Sequence, residues 1–307
     1  MANDIELEMS SKDFFITFPA EMALIDEGTC EGRLTVDSST AVPTSDTTST
    51  SVYFNPYLGN RLSLYTGSRW KMFNFSSTTL ALGTVTTALP YDVFVYDSSG
   101  TVTLEKVAWT NTTSRATALT TQDQIYVKSG DLTRRYLGTF YTSSTTQTMD
   151  SNGSRYLWNY YNRIPYSDFR PDSTTQWTNA GNGTWSAMNS GNAAWIHNHV
   201  IGVAENTMEA DLQISASGTA YLTMMTYDGS TTLDRAVTTI GLVNTSVGVF
   251  GQSSCYYSKV HAVGFHKVTG MQTTFNTPPA TVYGTNGTSV GSGSVTFNNG
   301  MRVRGYR

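Results

Sequence analysis

The sequence predicts an all-β protein, organised as two β-sandwich or jelly-roll-like domains after a short amino-terminal arm. Three observations carry this prediction. Hydroxyl residues stand where charged ones usually would: there are 49 Thr and 33 Ser among 307 residues, against 14% charged and only 6 Lys. That composition suits half-buried strands and not helices, whose exposed faces run to Glu, Lys and Ala. Short apolar or aromatic runs recur at roughly 8–12-residue spacing between Gly-, Asn- and Asp-containing turns, the spacing of sandwiches and barrels. The 18 Tyr, 13 Phe and 6 Trp supply the apolar surface that a disordered chain lacks.

The elements follow in order. Residues 1–40 hold nine acids against Lys12 and Arg33, a net of −7; with −4 for the whole chain, the remaining 267 residues carry +3. Within the first 32 residues Ile5, Leu7 and Met9 alternate with acids, and Phe14, Phe15, Ile16 and Phe18 form an apolar patch before Pro19. An apolar patch in an acidic arm is expected to dock on something, which makes residues 1–32 a candidate attachment element. A solvated acidic edge is the alternative. Residues 36–51, rich in Ser and Thr, read as loop or strand end.

From Val52 to Pro165 the strand signals come regularly: SVYFNPY, RLSLYTG and KMFNFS, then two hairpins. YDVFVYDSSGTVTLEKVAW turns at Asp97-Ser98-Ser99-Gly100, and QIYVKSGDLTRRYLGTFYTS turns at Ser129-Gly130-Asp131. Between them NTTSRATALTTQD is expected to hold one short helical turn. RYLWNYYNRIPY (155–166) is the densest aromatic stretch. Residues 167–185 are crowded with turn formers and mark a boundary, so the expected domains are 33–166 and 167–307. The second contains WIHNHVIGVAEN, ADLQISAS, AYLTMMTYDGSTTL, KVHAVGFHKV and SVTFNNGMRVRGYR. Asp228-Gly229 and Asn299-Gly300 read as hairpin turns, because these residues take positive φ cheaply.

Composition also restricts chemistry. A pI near 5.5 leaves no basic field for nucleic acid. No apolar run approaches the ~18 residues of a membrane span, so no membrane insertion is expected. The start, MANDIELEMSSKDFF, lacks a basic and apolar leader pattern, and synthesis in a cytoplasm is expected. Cys30 and Cys255 form neither a disulfide framework nor a zinc spacing and read as small buried thiols. No cofactor and no catalytic residue is assigned. Gly287-Thr288-Ser289-Val290-Gly291 matches a nucleophile-elbow pattern, but all four histidines precede Ser289, against the order such sites require.

Two sets of residues are candidates for binding. His197 and His199, two apart on one strand, point the same way. They are either a hydrogen-bonding pair or, near a threefold axis, a source of six imidazoles able to hold a transition metal. His261 and His266, five apart, share no strand face. Trp177, Trp185 and Trp195 lie among Asn and Thr side chains, where flat rings stack on sugar C–H faces and amides meet hydroxyls. Burial in a core is the competing reading. If the chain were a polysaccharide hydrolase, Asp168, Asp172, Glu205 and Asp211 would supply the pair of carboxylates that reaction needs.

The segments GRLTVDSSTAVPTSDTTSTSVYFNPYLGNRLSLYTGSRW, LPYDVFVYDSSGTVTLEKVAWTNTTSRATAL and QDQIYVKSGDLTRRYLGTFYTSSTTQTMDSNGSRYLWNYYNRIP carry a resemblance. Together they are similar to a recurrent domain of tailed-bacteriophage virion proteins found in tail, tail-fibre and other structural components. The resemblance covers roughly residues 32–165 and continues more weakly through HVIGVAEN, the Gly-rich stretch after Tyr283 and the terminal VRGYR. Its most specific part runs from VKSGDLTRRYLGTF to WNYYNR, which no general strand rule generates. The resemblance implies a fibrous or decorating virion component, commonly trimeric, and carries no catalytic motif. The collagen-like or coiled-coil shaft that many such proteins place before this domain is not found here, which points to a short fibre, a baseplate piece or a decoration protein.

The expectation is therefore a non-enzymatic, homotrimeric virion structural protein, made in the bacterial host cytoplasm and displayed on the virion exterior. Residues 1–32 would attach it to other virion proteins of the tail, baseplate or capsid, and the second domain would contact host surface glycan. Capsid decoration, as cement or head fibre, and surface-polysaccharide hydrolysis are the alternatives.

Overall fold

The two hairpins between residues 90 and 141 frame the first region. The structure is a computed structural model that describes residues 27–179, 183–205, 207–217, 221–229, 241–243, 250–274, 280–285, 288–290, 293–295 and 299–307. Pro90–Ser98 pairs with Thr101–Ala108; Ser99 and Gly100 between them take φ of 53° and 91°, and the Gly100 amide donates to Asp97 Oδ1 at 2.6 Å. Such a two-residue turn matches the twist of its flanking strands. Ile125–Lys128 and Asp131–Tyr141 form the second hairpin, with Gly130 at φ 85°.

Asp131–Tyr141 is the hub of a six-stranded sheet, paired with Pro90–Ser98, Ile125–Lys128 and Leu157–Asn159. Gly138 makes the last pairing fit: a Cβ there would lie 2.2 Å from the Trp158 carbonyl oxygen. A three-stranded sheet (Gly32–Thr35, Ser51–Pro56, Thr78–Ala81) and the Arg61–Tyr65/Trp70–Asn74 hairpin join it around a core that includes Leu34, Phe54, Leu62, Val93 and Phe140. The Asn159 carboxamide imitates a strand, accepting from the Leu34 amide (2.7 Å) and donating to its carbonyl (3.1 Å). The helical turn expected in NTTSRATALTTQD is not there. Asn111 Oδ1 takes the Thr113 amide at 2.9 Å, a local bond that competes with helix, and the segment ends in the strand Leu119–Gln122.

The second region is two sheets packed face to face. One holds Ile196–Ile201, Gly264–Thr274, Tyr221–Tyr227 and Gly241–Val243; the other holds Pro165–Pro171, Gly300–Tyr306, Thr207–Ser217, Phe250–Val260, Ala280–Tyr283 and Gln176–Asn179. Trp195, Leu212, Ile214, Met225, Val268 and Val303 lie in the core between them. The protein is all-β, as expected, and among the described residues its only helical pieces are short 3₁₀ turns at Met188–Gly191 and Ala193–Trp195.

The expected boundary near residue 166 is crossed by hydrogen bonds. Thr47–Ser49, Thr148–Ser151 and Ser154–Arg155 extend the first sheet of the second region, the last in parallel with Asn198–His199. The opposite face of that sheet brings Val200 and Phe265 against Tyr136, Tyr141 and Trp158, with Tyr141 and Phe265 stacked at 4.0 Å.

Two readings need correction. Asp228-Gly229 adopts the expected turn conformation (φ 53° and 76°), but Asn299-Gly300 is no hairpin tip. Gly300 opens a strand between Pro165–Pro171 and Thr207–Ser217, where a Cβ would meet the Arg170 carbonyl at 2.4 Å; the glycine serves close approach, not positive φ. Residues 27–32, assigned to the arm, belong to the body: Cys30 bridges to Leu62 and the Glu31 amide donates to the Arg61 carbonyl at 3.0 Å. The expected attachment residues Phe14, Phe15, Ile16 and Phe18 lie outside the described residues. Among the described residues no helix is long and apolar enough to cross a membrane.

Candidate functional site

Three arrangements stand out, and the first surrounds residues 27–32. Arg135, on the hub strand, is 1% exposed. Its Nη1 donates to the carbonyls of Glu27 (3.0 Å), Thr29 (3.0 Å) and Ser63 (2.7 Å), its Nη2 to Gly28 (2.8 Å), and its Nε to the Tyr161 hydroxyl (3.1 Å). The guanidinium also lies 4.6 Å from the Tyr161 ring centroid. A buried charge is tolerable when every donor is matched, and a planar fork with five N–H groups can meet that many carbonyls at once. Asn162, at φ 53°, adds 2.8 Å bonds to the carbonyls of Cys30 and Gly32. Arg135, Tyr161 and Asn162 all come from the stretch that carries the most specific part of the resemblance. The sequence does not single out Arg135, because its carbonyl partners carry no sequence signal.

The second arrangement gathers all four histidines inside the second sandwich. His197 and His199 share a strand face, as expected, but they are 1% and 2% exposed and point between the sheets of their own chain. That position corrects the idea that they line a threefold axis. His199 Nε2 lies 2.7 Å from His261 Nδ1, and His261 Nε2 lies 2.8 Å from the Tyr257 hydroxyl. His266 contacts Asp228 Oδ2 (2.9 Å) and the Ala262 carbonyl (2.8 Å). The Tyr227 ring packs on His261 and His266 at 4.3 and 4.7 Å.

Burial, partly opposed by Asp168, pushes His197 down to about 3, and burial pushes His261 down to about 3 as well. His199 is held well below the usual imidazole range by burial and by its neighbouring histidines. The geometry agrees: with both rings of the His199–His261 pair protonated, two N–H groups would meet head to head in one gap. The Nδ1 atoms of His197 and His199 have no hydrogen-bond partner, that of His197 standing 4.0 Å from Asp168 Oδ2. Among the described residues no group of three or more His, Cys, Asp or Glu is arranged to hold a metal ion.

The third arrangement is the proposed sugar contact. Trp195 is 0% exposed, and its Nε1 donates to Asp172 Oδ2 at 2.6 Å. It is a core residue with no free ring face, which corrects its assignment as a stacking platform. Trp177 and Trp185 are half-buried, Trp177 donating to Gln272 Oε1 at 2.9 Å. Trp is as much a core residue as a binding one, and only the burial of Trp195 between the two sheets distinguishes the roles.

The acids are engaged as well. Asp172 accepts from Thr174, Asn189 and Trp195, and these bonds outweigh burial to hold its carboxyl low. Asp168 is gripped by Arg155, Glu205 by Arg163 and Asp211 by Arg304. Arg155 also pairs with Asp150, which Arg307 reaches from the far end of the sequence. Burial, with Arg307 adding repulsion, pushes the nearby Arg33 down to about 10.

No family model matches the chain, and no curated protein matches it. Among solved structures it is similar to the insecticidal delta-endotoxin Cry8Ea1 of Bacillus thuringiensis, with 6% identity and a TM-score of 0.24, over 90% of this chain and 51% of that one. It is also similar to a structure of infectious bursal disease virus, Gx strain, with 12% identity and a TM-score of 0.22, over 85% of this chain and 77% of that one. The chain thus spans about half the length of the toxin. Likeness at this level carries no argument.

Proposed function

We propose that the chain is a non-enzymatic structural protein of a tailed-phage virion, a short tail-fibre or baseplate-type component that works as a homotrimer and contacts the host surface. One observation carries this reading. The stretch that most resembles phage virion proteins is the stretch that clamps residues 27–32, so its unusual residues have a mechanical purpose: they fix the point where the acidic arm meets the body. An attachment segment needs such a rigid base, since a loose joint would dissipate the orientation of whatever projects beyond it.

Deleting residues 1–26 tests the reading while leaving every Arg135 partner in place. The truncated chain is expected to keep its β circular-dichroism spectrum and to sediment as a trimer. It is expected to be missing from purified particles by immunoblot. Truncated protein still present on virions would remove the attachment role from the arm. Gold-labelled antibody on the full-length protein should mark the tail tip or baseplate; gold spread over the head would replace the host-contact role with capsid decoration.

A further inference from the structure

The outer face of the second sandwich carries a cleft unrelated to the tryptophans. Strand pairing builds it. Ser167, Arg304, Glu209 and Ser258 form one row across four adjacent strands, and Pro165 and Tyr306 pair at its end. Side chains in such a row share a face. The residue between Arg304 and Tyr306 is Gly305, where a Cβ would come within 2.9–3.0 Å of the Tyr166 ring and hydroxyl. Glycine therefore lets the backbone settle onto that ring and lowers the floor. The resulting depression has a volume of about 640 Å³ and is walled by Ser167, Glu205, Thr207, Glu209, Arg304 and Tyr306. That is within the range of ligand sites, roughly 300–1,000 Å³.

The lining selects a ligand class. Tyr306 is 50% exposed, so its ring is free to act as a platform. Two carboxylates and two hydroxyls accept hydrogen bonds, and one guanidinium donates. Several of these groups are held in position by partners: Glu205 by Arg163 at 2.8 Å, and Arg304 by Asp211 at 2.6 Å. Such preorganisation lowers the entropic cost of binding. Two carboxylates against one guanidinium disfavour an anionic ligand, and the polar walls disfavour an apolar one. A ligand with a flat C–H face and a rim of hydroxyls meets both the ring and the polar groups.

We propose that this cleft is an oligosaccharide-binding site for neutral or amino sugars. Tyr306 stacks on a pyranose ring, Glu205 and Glu209 accept from its hydroxyl or ammonium groups, and Arg304 donates to ring or hydroxyl oxygens. The biological role of the site rests on the host-contact reading above; its chemistry does not.

The test is an array of purified bacterial surface oligosaccharides, neutral, amino and acidic, probed with the full-length protein. Wild type is expected to bind neutral or amino-sugar members in preference to uronic-acid ones. Tyr306→Ala should weaken that binding about tenfold with an unchanged melting temperature. Tyr306→Phe, which keeps the ring, should recover most of it, and Glu209→Gln should weaken it several-fold. No binding by wild type to any member, or binding that survives Tyr306→Ala, overturns the proposal. So does binding that is lost in Trp177→Phe while Tyr306→Ala retains it. A separate adsorption assay isolates the reading beneath: virions carrying Tyr306→Ala that adsorb to host cells normally, although the purified variant has lost its sugar, leave the cleft intact and remove host contact as its purpose.

Discussion

The two regions bury polar groups by opposite means. In the first, backbone carbonyls and a tyrosine hydroxyl surround the buried Arg135 guanidinium. In the second, His197, His199 and His261 are kept uncharged by burial, with His199 bonded to His261 and His261 to Tyr257. A guanidinium gains no further proton in acid, whereas an imidazole does. The difference teaches that one continuous β body can combine a buried cation indifferent to acid with buried imidazoles sensitive to it.

The largest expected effect tests the indifferent side. Arg135→Met removes the donor shared by four carbonyls, of which Ser63 belongs to a buried residue, Thr29 to a half-buried one and Glu27 and Gly28 to exposed ones. It also empties the charge's buried site, and should cost about 3 kcal/mol in urea unfolding. A loss below about 1 kcal/mol would mean that water replaces the clamp, and the contrast between regions would collapse.

Acid comes next. The folded-state values of His197 and His261, about 3, lie below the ordinary 6.5. The unfolded chain therefore binds more protons between those values. Stability is fully present above pH 6.5 and is lost as the pH falls towards 3, by about 1.4 kcal/mol per pH unit for each histidine that titrates independently. Hydrogen exchange should show Ile196–Ile201 and Gly264–Thr274 losing protection at pH 5 before Asp131–Tyr141 does. Simultaneous loss in all three strands would show that the seam couples the regions too tightly to separate.

Asp172→Asn comes third. It keeps the shape but weakens four hydrogen bonds, two from Thr174 and one each from Asn189 and Trp195, and should cost about 1–3 kcal/mol with a shift in Trp fluorescence. The smallest effect belongs to the first region: Gly100→Ala places a Cβ in open space but at φ 91°. Only backbone strain opposes it, about 1 kcal/mol by thermal melting, with the six-stranded sheet otherwise intact.

What could be read from the sequence was local. Asp97-Ser98-Ser99-Gly100 specified its hairpin because the turn chemistry lies within four residues, and the side shared by His197 and His199 followed from strand alternation. What could not be read was tertiary. His199 meets His261 across 62 positions, and Ser154–Arg155 pairs in parallel with Asn198–His199, far along the chain. Neither pairing has a local signature. Asn299-Gly300 shows the opposite failure: a strong local turn signal overridden because Gly300 was needed where a backbone passes within contact distance. The cleft at Tyr306 escaped for the same reason, since its walls come from three strands brought together only by pairing.

The clamp at Arg135 also defines a path for force. A pull on the segment before residue 27 reaches the carbonyls of Glu27, Gly28 and Thr29, where the Arg135 side chain passes part of it to the hub strand while the backbone carries the rest into Gly32–Thr35. That strand is bonded to neighbours on both sides, so the load enters the sheet at its middle and spreads over several strand pairings in shear. Tension applied at an edge strand would instead unzip bonds one after another. A pull on this junction is therefore shared between two sheets and does not fall on one strand alone.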